Sequence, residues 1–392
     1  MIDNFEFISN TKIIFGKGKE NDVGKIISSY GFKNILLVYG GSSIKKIGLY
    51  EKVINSLKEN KISFCELGGI RPNPNNVEVL KGINIARENN IDFVLAVGGG
   101  SVIDVSKAIA CGYFYDGDPF DFVLYKSTPK KALKIGVILT LAASGSELSR
   151  TSVFQNDEVG FKGGYRSDFN IPLFSIMNPE LTFSVNKFQT GCGVVDIIAH
   201  SLERYFCPSD EFEFADELAL AIIKNMIKCG KRCIEQPNDY KARGEMMLCG
   251  SYSHNGLTSL AKNYSMTVHT IEHALSAFNP NITHGAGLSI LIPGWMEYVY
   301  KYDVDKFDKF SKEVFNLCYV DKNESAKIGI QYLRNFFKDI GMPIKLSEIN
   351  IKKEDIPLLA DMICKNGTLV IGQYSIKPLN KDDVTSILLS LI

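Results

Sequence analysis

Five histidines occur in this chain of 392 residues, and all of them fall between positions 200 and 284. Asp196 and His200 are four residues apart, as are His269 and His273, a spacing that puts each pair on one face of a helix. His284 follows in the stretch Asn281-Ile282-Thr283-His284-Gly285, which reads as a loop. One carboxylate and several imidazoles suit Fe²⁺, Zn²⁺ or a similar ion. Four of these groups are enough for one inner sphere. A single Asp-x-x-x-His pair is ordinarily a hydrogen bond on a helix surface; the two pairs together, with the histidines confined to one stretch, point instead to a shared metal site.

A second group of residues suits a nucleotide. Gly98-Gly99-Gly100-Ser101 follows an apolar strand-like run and precedes a helical stretch containing Asp104 and Lys107. Residues without a Cβ let backbone N–H groups approach a pyrophosphate, and the helix that follows adds its positive end. The sequence is not GxGxxG, and glycine clusters after strands are also ordinary turns. A similar junction, Tyr39-Gly40-Gly41-Ser42-Ser43, carries no acid and is followed by Lys45 and Lys46. An acid at such a strand end serves the ribose 2′-hydroxyl of NAD, whereas a 2′-phosphate needs small residues and a cation; the bland alternative is a solvated lysine pair. The segment from Thr140 and Leu141 through Ser146 to Glu147 is a third small-residue run after a strand, able to approach ribose or nicotinamide.

The elements that must position these groups change character along the chain. From about 33 to 140, short β-branched runs (35–41, 62–69, 92–100, 134–141) alternate with amphipathic stretches (49–60, 75–90, 101–114). That alternation predicts a mostly parallel sheet with helices on both faces. Beyond about 185 the pattern is helical, over 188–206, 216–236, 241–257 and 264–278. The turn-forming Asn178-Pro179 closes the α/β part, so residues 1–183 are expected to form an α/β dinucleotide-binding domain and 184–392 an all-helical metal-binding domain.

Composition excludes other classes. With 44 basic and 44 acidic residues, 45% apolar and 22% charged, the chain is neither disordered nor a nucleic-acid binder relying on bulk charge. Nine cysteines without a CxxC pair argue against a disulfide framework or a zinc ribbon. No apolar leader or membrane-length run is present. A cytoplasmic protein without membrane or nucleic-acid partners is expected.

Taken together, TKIIFGKG, GGGSVIDVSKAIA, LTLAASGSE, the lysine of GFKGG, VVDIIAHSLERYF, HTIEHALSAF with THGAGLSILIP, and GQYSIKPLNKDDV resemble the iron-containing (group III) alcohol dehydrogenases almost end to end. Within that family the chain looks most like the NADPH-dependent butanol dehydrogenases and broad aldehyde reductases. The resemblance implies a Rossmann-like N-terminal domain and an all-α C-terminal domain in a dehydroquinate synthase-like architecture, with one divalent metal in a cleft. It implies Asp196, His200, His269 and His284 as ligands and His273 as a residue near the substrate. Gly98, Gly99, Gly100, Ser101 and Asp104 match the pyrophosphate loop and its helix, Thr140, Leu141 and Ser146 the ribose and nicotinamide side, and Lys162 a lysine that reaches the phosphates. NAD-using members often carry Asp where this chain has Gly40-Gly41-Ser42-Ser43, so NADP(H) is the expected coenzyme.

Three departures stand out. Asn178 replaces the family's usual Asp before Pro-Glu-Leu-Thr, His273 and His284 are one residue further apart than is commonest, and His254 has no ligand role. Four protein ligands saturate a tetrahedral zinc, so Fe²⁺ with its larger coordination number is favoured, five-coordinate Zn²⁺ remaining the alternative. The expected reaction interconverts short-chain primary alcohols such as 1-butanol and their aldehydes, with His273 as proton relay. The rival is a glycerol or polyol dehydrogenase, or a lyase, on the same scaffold. A homodimer is also expected from the resemblance.

Overall fold

The computed structural model describes residues 4–208 and 213–392. The chain divides into two compact units. One comprises Ile8–Val185 with Pro237–Ser251; the other comprises Met1–Phe7, Asn186–Gln236 and Tyr252–Ile392. The single cut expected between 183 and 184 therefore differs from the observed division in two places. Pro237–Ser251 joins the α/β unit because Gly244 lies against Phe15 and Pro179 and Ser251 Oγ donates to Glu147 Oε1 at 2.5 Å. Residues up to Phe7 join the helical unit, where the Phe7 ring covers Gly256.

The α/β unit carries strands β1 Lys12–Phe15, β2 Asn34–Tyr39, β3 Ser63–Leu67, β4 Phe93–Gly98, β5 Lys134–Leu139, β6 Thr151–Asn156, β7 Phe161–Arg166 and β8 Phe174–Met177. Six of them form one sheet in the order β1-β8-β5-β4-β2-β3, every pair parallel. Strands β6 and β7 form a separate antiparallel hairpin. Its helices are α1 Val23–Ser29, α2 Ser43–Lys46, α3 Leu49–Glu59, α4 Asn76–Glu88, α5 Gly100–Gly112 and α6 Phe120–Val123. The central strands read as unbroken apolar runs because both faces are covered: every residue of β4 is buried, and Phe93 stacks on Phe174 at 5.9 Å between centroids. The four strands expected from periodicity are present. Strands β1 and β8, four residues each, are too short to show a period, and the β6–β7 hairpin carries glycines where alternation would be read.

The helical unit contains α7 Lys187–Tyr205 and α8 Glu213–Glu235, α10 Thr267–Phe278, α11 His284–Val299, α12 Val304–Phe315, α13 Lys322–Asp339, α14 Ile356–Cys364 and α15 Lys381–Leu389; α9, Tyr240–His254, runs from one unit's residues into the other's. Asn186 caps α7 by accepting from the Gln189 N–H, and from Thr190 to Tyr205 the helix is buried on every side. A helix enclosed all round must be apolar or must satisfy its polar groups internally. Helix α7 carries Asp196, His200, Glu203 and Arg204 in that buried stretch, so those side chains set the chemistry of the unit. No helix among the described residues is long and apolar enough to cross a membrane, and all nine cysteines are free.

Candidate functional site

In the α/β unit the three glycine- and serine-rich segments follow β2, β4 and β5. These strands are neighbours and run the same way, so their following loops emerge side by side at the carboxyl edge of the sheet. Crevices at that edge are where parallel sheets bind nucleotides. Gly98 ends β4, and Gly99 caps α5 without any side-chain acceptor for its first-turn amides. Gly100 brings the backbone close to Ser144; a Cβ there would collide with the Ser144 hydroxyl. The Thr140 N–H donates to the Gly98 carbonyl at 3.0 Å, which couples the loops directly. A pyrophosphate is compatible with this uncapped helix start and its small residues.

Behind the loops lies a fully buried amine. Lys107 Nζ donates to the carbonyl oxygens of Ser146 (2.6 Å), Ser149 (2.9 Å) and Thr151 (2.8 Å) and to the Ser146 hydroxyl at 2.9 Å. Ser146 Oγ in turn donates to Asp104 Oδ1 at 2.6 Å. Burial pushes the Lys107 amine down to about 8, against the pull of the Asp104 and Glu147 charges. Burial likewise pushes Asp104 up to about 6, against Lys107 and the Ser146 hydrogen bond. The Ser146 proton and one lone pair are thus committed inside the protein, as a brace between α5 and the 140–151 segment. Lys162, buried, donates to Asn73 Oδ1 at 3.0 Å.

At the end of β2, Gly41, Ser42, Ser43 and Lys45 are exposed. The Lys45 amine lies over the rings of Tyr39 and Tyr50, 5.4 and 4.8 Å from their centroids. Both phenols donate to Glu66, at 2.9 Å each. The nearest acid on β3 therefore already accepts two hydrogen bonds.

In the helical unit the Nε2 atoms of His200, His269 and His284 lie 3.7, 3.5 and 3.7 Å from one oxygen, Asp196 Oδ1. These separations are too long for hydrogen bonds. They match the edge of roughly 3.4 Å between donors bound about 2.1 Å from a common ion. Asp196 Oδ1 and His269 Nε2 are buried without any hydrogen-bond partner. Buried polar atoms in native proteins are paired, so these atoms are arranged for something that the protein itself does not provide, and a divalent cation fits the donor set.

The opposite ring nitrogens are held by carboxylates. Glu203 Oε2 meets His269 Nδ1, and Glu272 Oε2 meets His284 Nδ1, both in short contacts; Ser276 Oγ donates to Glu272 Oε1. Such partners fix the ring orientation and raise the basicity of the inward nitrogen. Burial lowers the His269 pKa, but the Glu203 and Asp196 carboxylates outweigh it and hold the group at about 9. His200 goes the other way, well below its ordinary value, through burial and then the neighbouring His254, His269 and Arg204. Glu272, His273 and His284 form a second cluster of donor atoms, but there the carboxylate is already hydrogen-bonded, unlike that of Asp196. His273 is half-buried, with its ring 5.5 Å from that of His284 and 6.4 Å from that of His269.

His284 is not in a loop, as its surrounding sequence suggests, but is the first residue of α11, with Thr283 at the N-cap position and no side-chain cap. The adjacent Gly285 explains the placement, since a Cβ there would run into the backbone of Cys192 on α7. Close approach of α11 to α7 carries His284 to Asp196. Glu203 and Glu272 were not anticipated. Each lies three residues after a histidine of its own helix, which suggests pairing within the helix, yet each pairs with a histidine of the next ligand-bearing helix.

Comparison with known proteins fits this geometry. Residues 10–179 match the family model for iron-containing alcohol dehydrogenase, and residues 190–392 match that for the C-terminal part of the Fe-containing alcohol dehydrogenase family. The chain belongs to the iron-containing alcohol dehydrogenase family. It is 44% identical over 388 residues, 98% of either chain, to the NADH-dependent butanol dehydrogenase A of Clostridium acetobutylicum. It is 30% identical over 378 residues to the NADPH-dependent aldehyde reductase YqhD of Escherichia coli, covering 95% of this chain and 96% of that one. The crystal structure of NADH-dependent butanol dehydrogenase A from Thermotoga maritima superposes with a TM-score of 0.95 at 36% identity, covering 100% of this chain and 99% of that one. Membership of the iron-containing alcohol dehydrogenase family implies an oxidoreductase with a metal and a nicotinamide coenzyme.

Proposed function

We propose that this protein reduces short-chain aldehydes such as butanal to primary alcohols, and catalyses the reverse oxidation, with NADPH as its preferred hydride donor. The observation that carries the reading is the convergence of three Nε2 atoms on Asp196 Oδ1, with buried donor atoms that have no protein partner. A divalent ion held there would supply Lewis acidity toward a carbonyl or alcohol oxygen, and a bound nicotinamide would supply the hydride chemistry. Asp196, His200, His269 and His284 hold that ion; Glu203 and Glu272 keep two of the imidazoles turned toward it. His273, half-buried beside His284, delivers a proton to the oxygen in reduction and withdraws it in oxidation. Gly98, Gly99, Gly100 and Ser101 receive the pyrophosphate at the start of α5, braced from behind by Lys107.

Relatives named for NADH and for NADPH both occur, and the loop after β2 favours NADPH here. Gly40-Gly41-Ser42-Ser43 offers small, acid-free positions, Lys45 offers a cation, and Glu66 is occupied by two phenols. An acid-free loop with a cation favours the 2′-phosphate.

The test is anaerobic oxidation of NADPH and, in parallel, NADH with butanal, on protein stripped of metal and reloaded with Fe²⁺ or Zn²⁺. Metal-dependent turnover with a higher kcat/KM for NADPH is expected. Turnover preferring NADH removes the coenzyme assignment alone. No turnover with either coenzyme, despite metal binding, removes the aldehyde reductase reading and favours a polyol dehydrogenase or lyase.

A further inference from the structure

Two of the three imidazoles around Asp196 are backed by carboxylates. The third, His200, is not: its Nδ1 is buried without a hydrogen-bond partner. Its support comes from a different kind of group. The His254 ring packs against the His200 ring at 4.2 Å between centroids, and the His269 ring stacks on it at 4.7 Å. Arg204, one turn along α7 and almost wholly buried, folds back over its own helix. Its Nη1 donates to the His200 carbonyl at 2.6 Å, and its Nη2 lies 2.9 Å from His254 Nδ1. The Tyr264 ring covers the guanidinium, 4.8 Å from Cζ.

A guanidinium has only donors. His254 Nδ1 must therefore accept, which places the ring proton on Nε2 and leaves His254 neutral. The fork of Arg204 reaches both the backbone of the ligand residue and the ring that packs on the ligand. A single ammonium cannot span both acceptors in the same way.

We propose that Arg204 and His254 form a clasp that fixes the orientation of the His200 ring, acting as positioning residues for the metal centre where the other imidazoles rely on Glu203 and Glu272. The clasp rests on the metal reading given above. It assigns a role to His254, which has none as a ligand, and it explains an arginine buried beside a cluster of imidazoles.

The test separates the two components in the full-length chain, stripped of metal and titrated with Co²⁺. His254→Phe keeps a ring against His200 but leaves Arg204 without its acceptor; His254→Asn keeps an acceptor but removes the ring. Partners that orient metal ligands typically affect affinity by roughly tenfold or more. His254→Phe and Arg204→Lys are each expected to weaken Co²⁺ binding by about that factor and to alter the ligand-field absorption. The pair Arg204→Lys with His254→Phe removes the fork and its acceptor together, and is expected to lose less affinity than the two single losses combined. Wild-type Co²⁺ affinity and spectrum in all the single variants, with the fold retained by circular dichroism, would overturn the clasp while leaving the metal site intact. A lower unfolding midpoint of the metal-free variants with unchanged Co²⁺ affinity would overturn it as well. Failure of the unaltered protein to bind Co²⁺ would overturn the metal reading and the clasp with it.

Discussion

Two buried polar groups, one in each unit, are held in opposite ways. In the α/β unit, Lys107 is enclosed by three carbonyl oxygens and the Ser146 and Ser149 hydroxyls, so the protein meets the hydrogen-bonding capacity of the amine. In the helical unit, Asp196 Oδ1 and His269 Nε2 are equally buried but have no protein partner. A satisfied buried charge braces a loop. An unsatisfied convergence of donors is a place kept for something else. Burial and charge alone do not set these two groups apart; the convergence of several donors on Asp196 Oδ1, with no protein partner for it, does.

That contrast breaks most readily at Asp196. Asp196→Ala removes the oxygen on which three imidazoles converge, and loss of bound metal is expected with a fall in kcat on the order of 10³-fold, about 4 kcal/mol of transition-state stabilisation. Metal analysis and steady-state rates check it; an active variant with a full metal complement would deny Asp196 its central place. Lys107→Met should act on the other unit, leaving three buried carbonyls unanswered. Unfolding in urea is expected to lose about 3 kcal/mol, and the Co²⁺ spectrum to stay unchanged. A Lys107→Met protein as stable as the parent would show that the brace is dispensable.

Metal removal sharpens the comparison through pH. The His269 pKa is raised to about 9 in the metal-free fold, above its ordinary value of about 6.5. Folding then favours the protonated imidazole, and this stabilisation is fully present below pH 6.5 and lost as pH rises through 9. The metal-free protein should accordingly lose stability across that window relative to the Zn²⁺-loaded protein, in which the ligand must be neutral. Urea midpoints at the two ends of the window test this, and a metal-free midpoint that climbs relative to the loaded one would contradict it. The smallest effect is expected from Glu203→Gln, which keeps the shape but not the charge behind His269. Zn²⁺ affinity should fall roughly tenfold, read by competition with a chelator; an unchanged affinity would mean that Glu203 only fills space.

Much of this arrangement was legible in the sequence. Strands β2, β4 and β5 are legible because both their faces are buried, β3 at the sheet edge is legible only from its short apolar run, and the confinement of the histidines marks the stretch whose donors converge on Asp196. Glu203, Glu272 and Lys107 were hidden for a physical reason: their partners lie on other elements, and a carboxylate three residues from a histidine looks like an ordinary helix-surface pair. The placement of His284 was misread because Asn279-Pro280-Asn281 is turn-like, whereas the helix start is fixed by the contact of Gly285 with Cys192. Strands β1 and β8 escape because four residues are too few to establish a period.

The donors around Asp196 come from three helices, α7, α10 and α11, and α8 and α9 intervene in the chain before the second of them. During synthesis a growing chain that has completed α7 holds, of the four converging donors, only Asp196 and His200, a pair no better than those on many helix surfaces. Tight capture of an ion there would wait until His284 has left the ribosome, after the parallel sheet has had time to form. An ion bound there would therefore be chosen by a nearly finished protein, at whatever metal supply surrounds it at that moment.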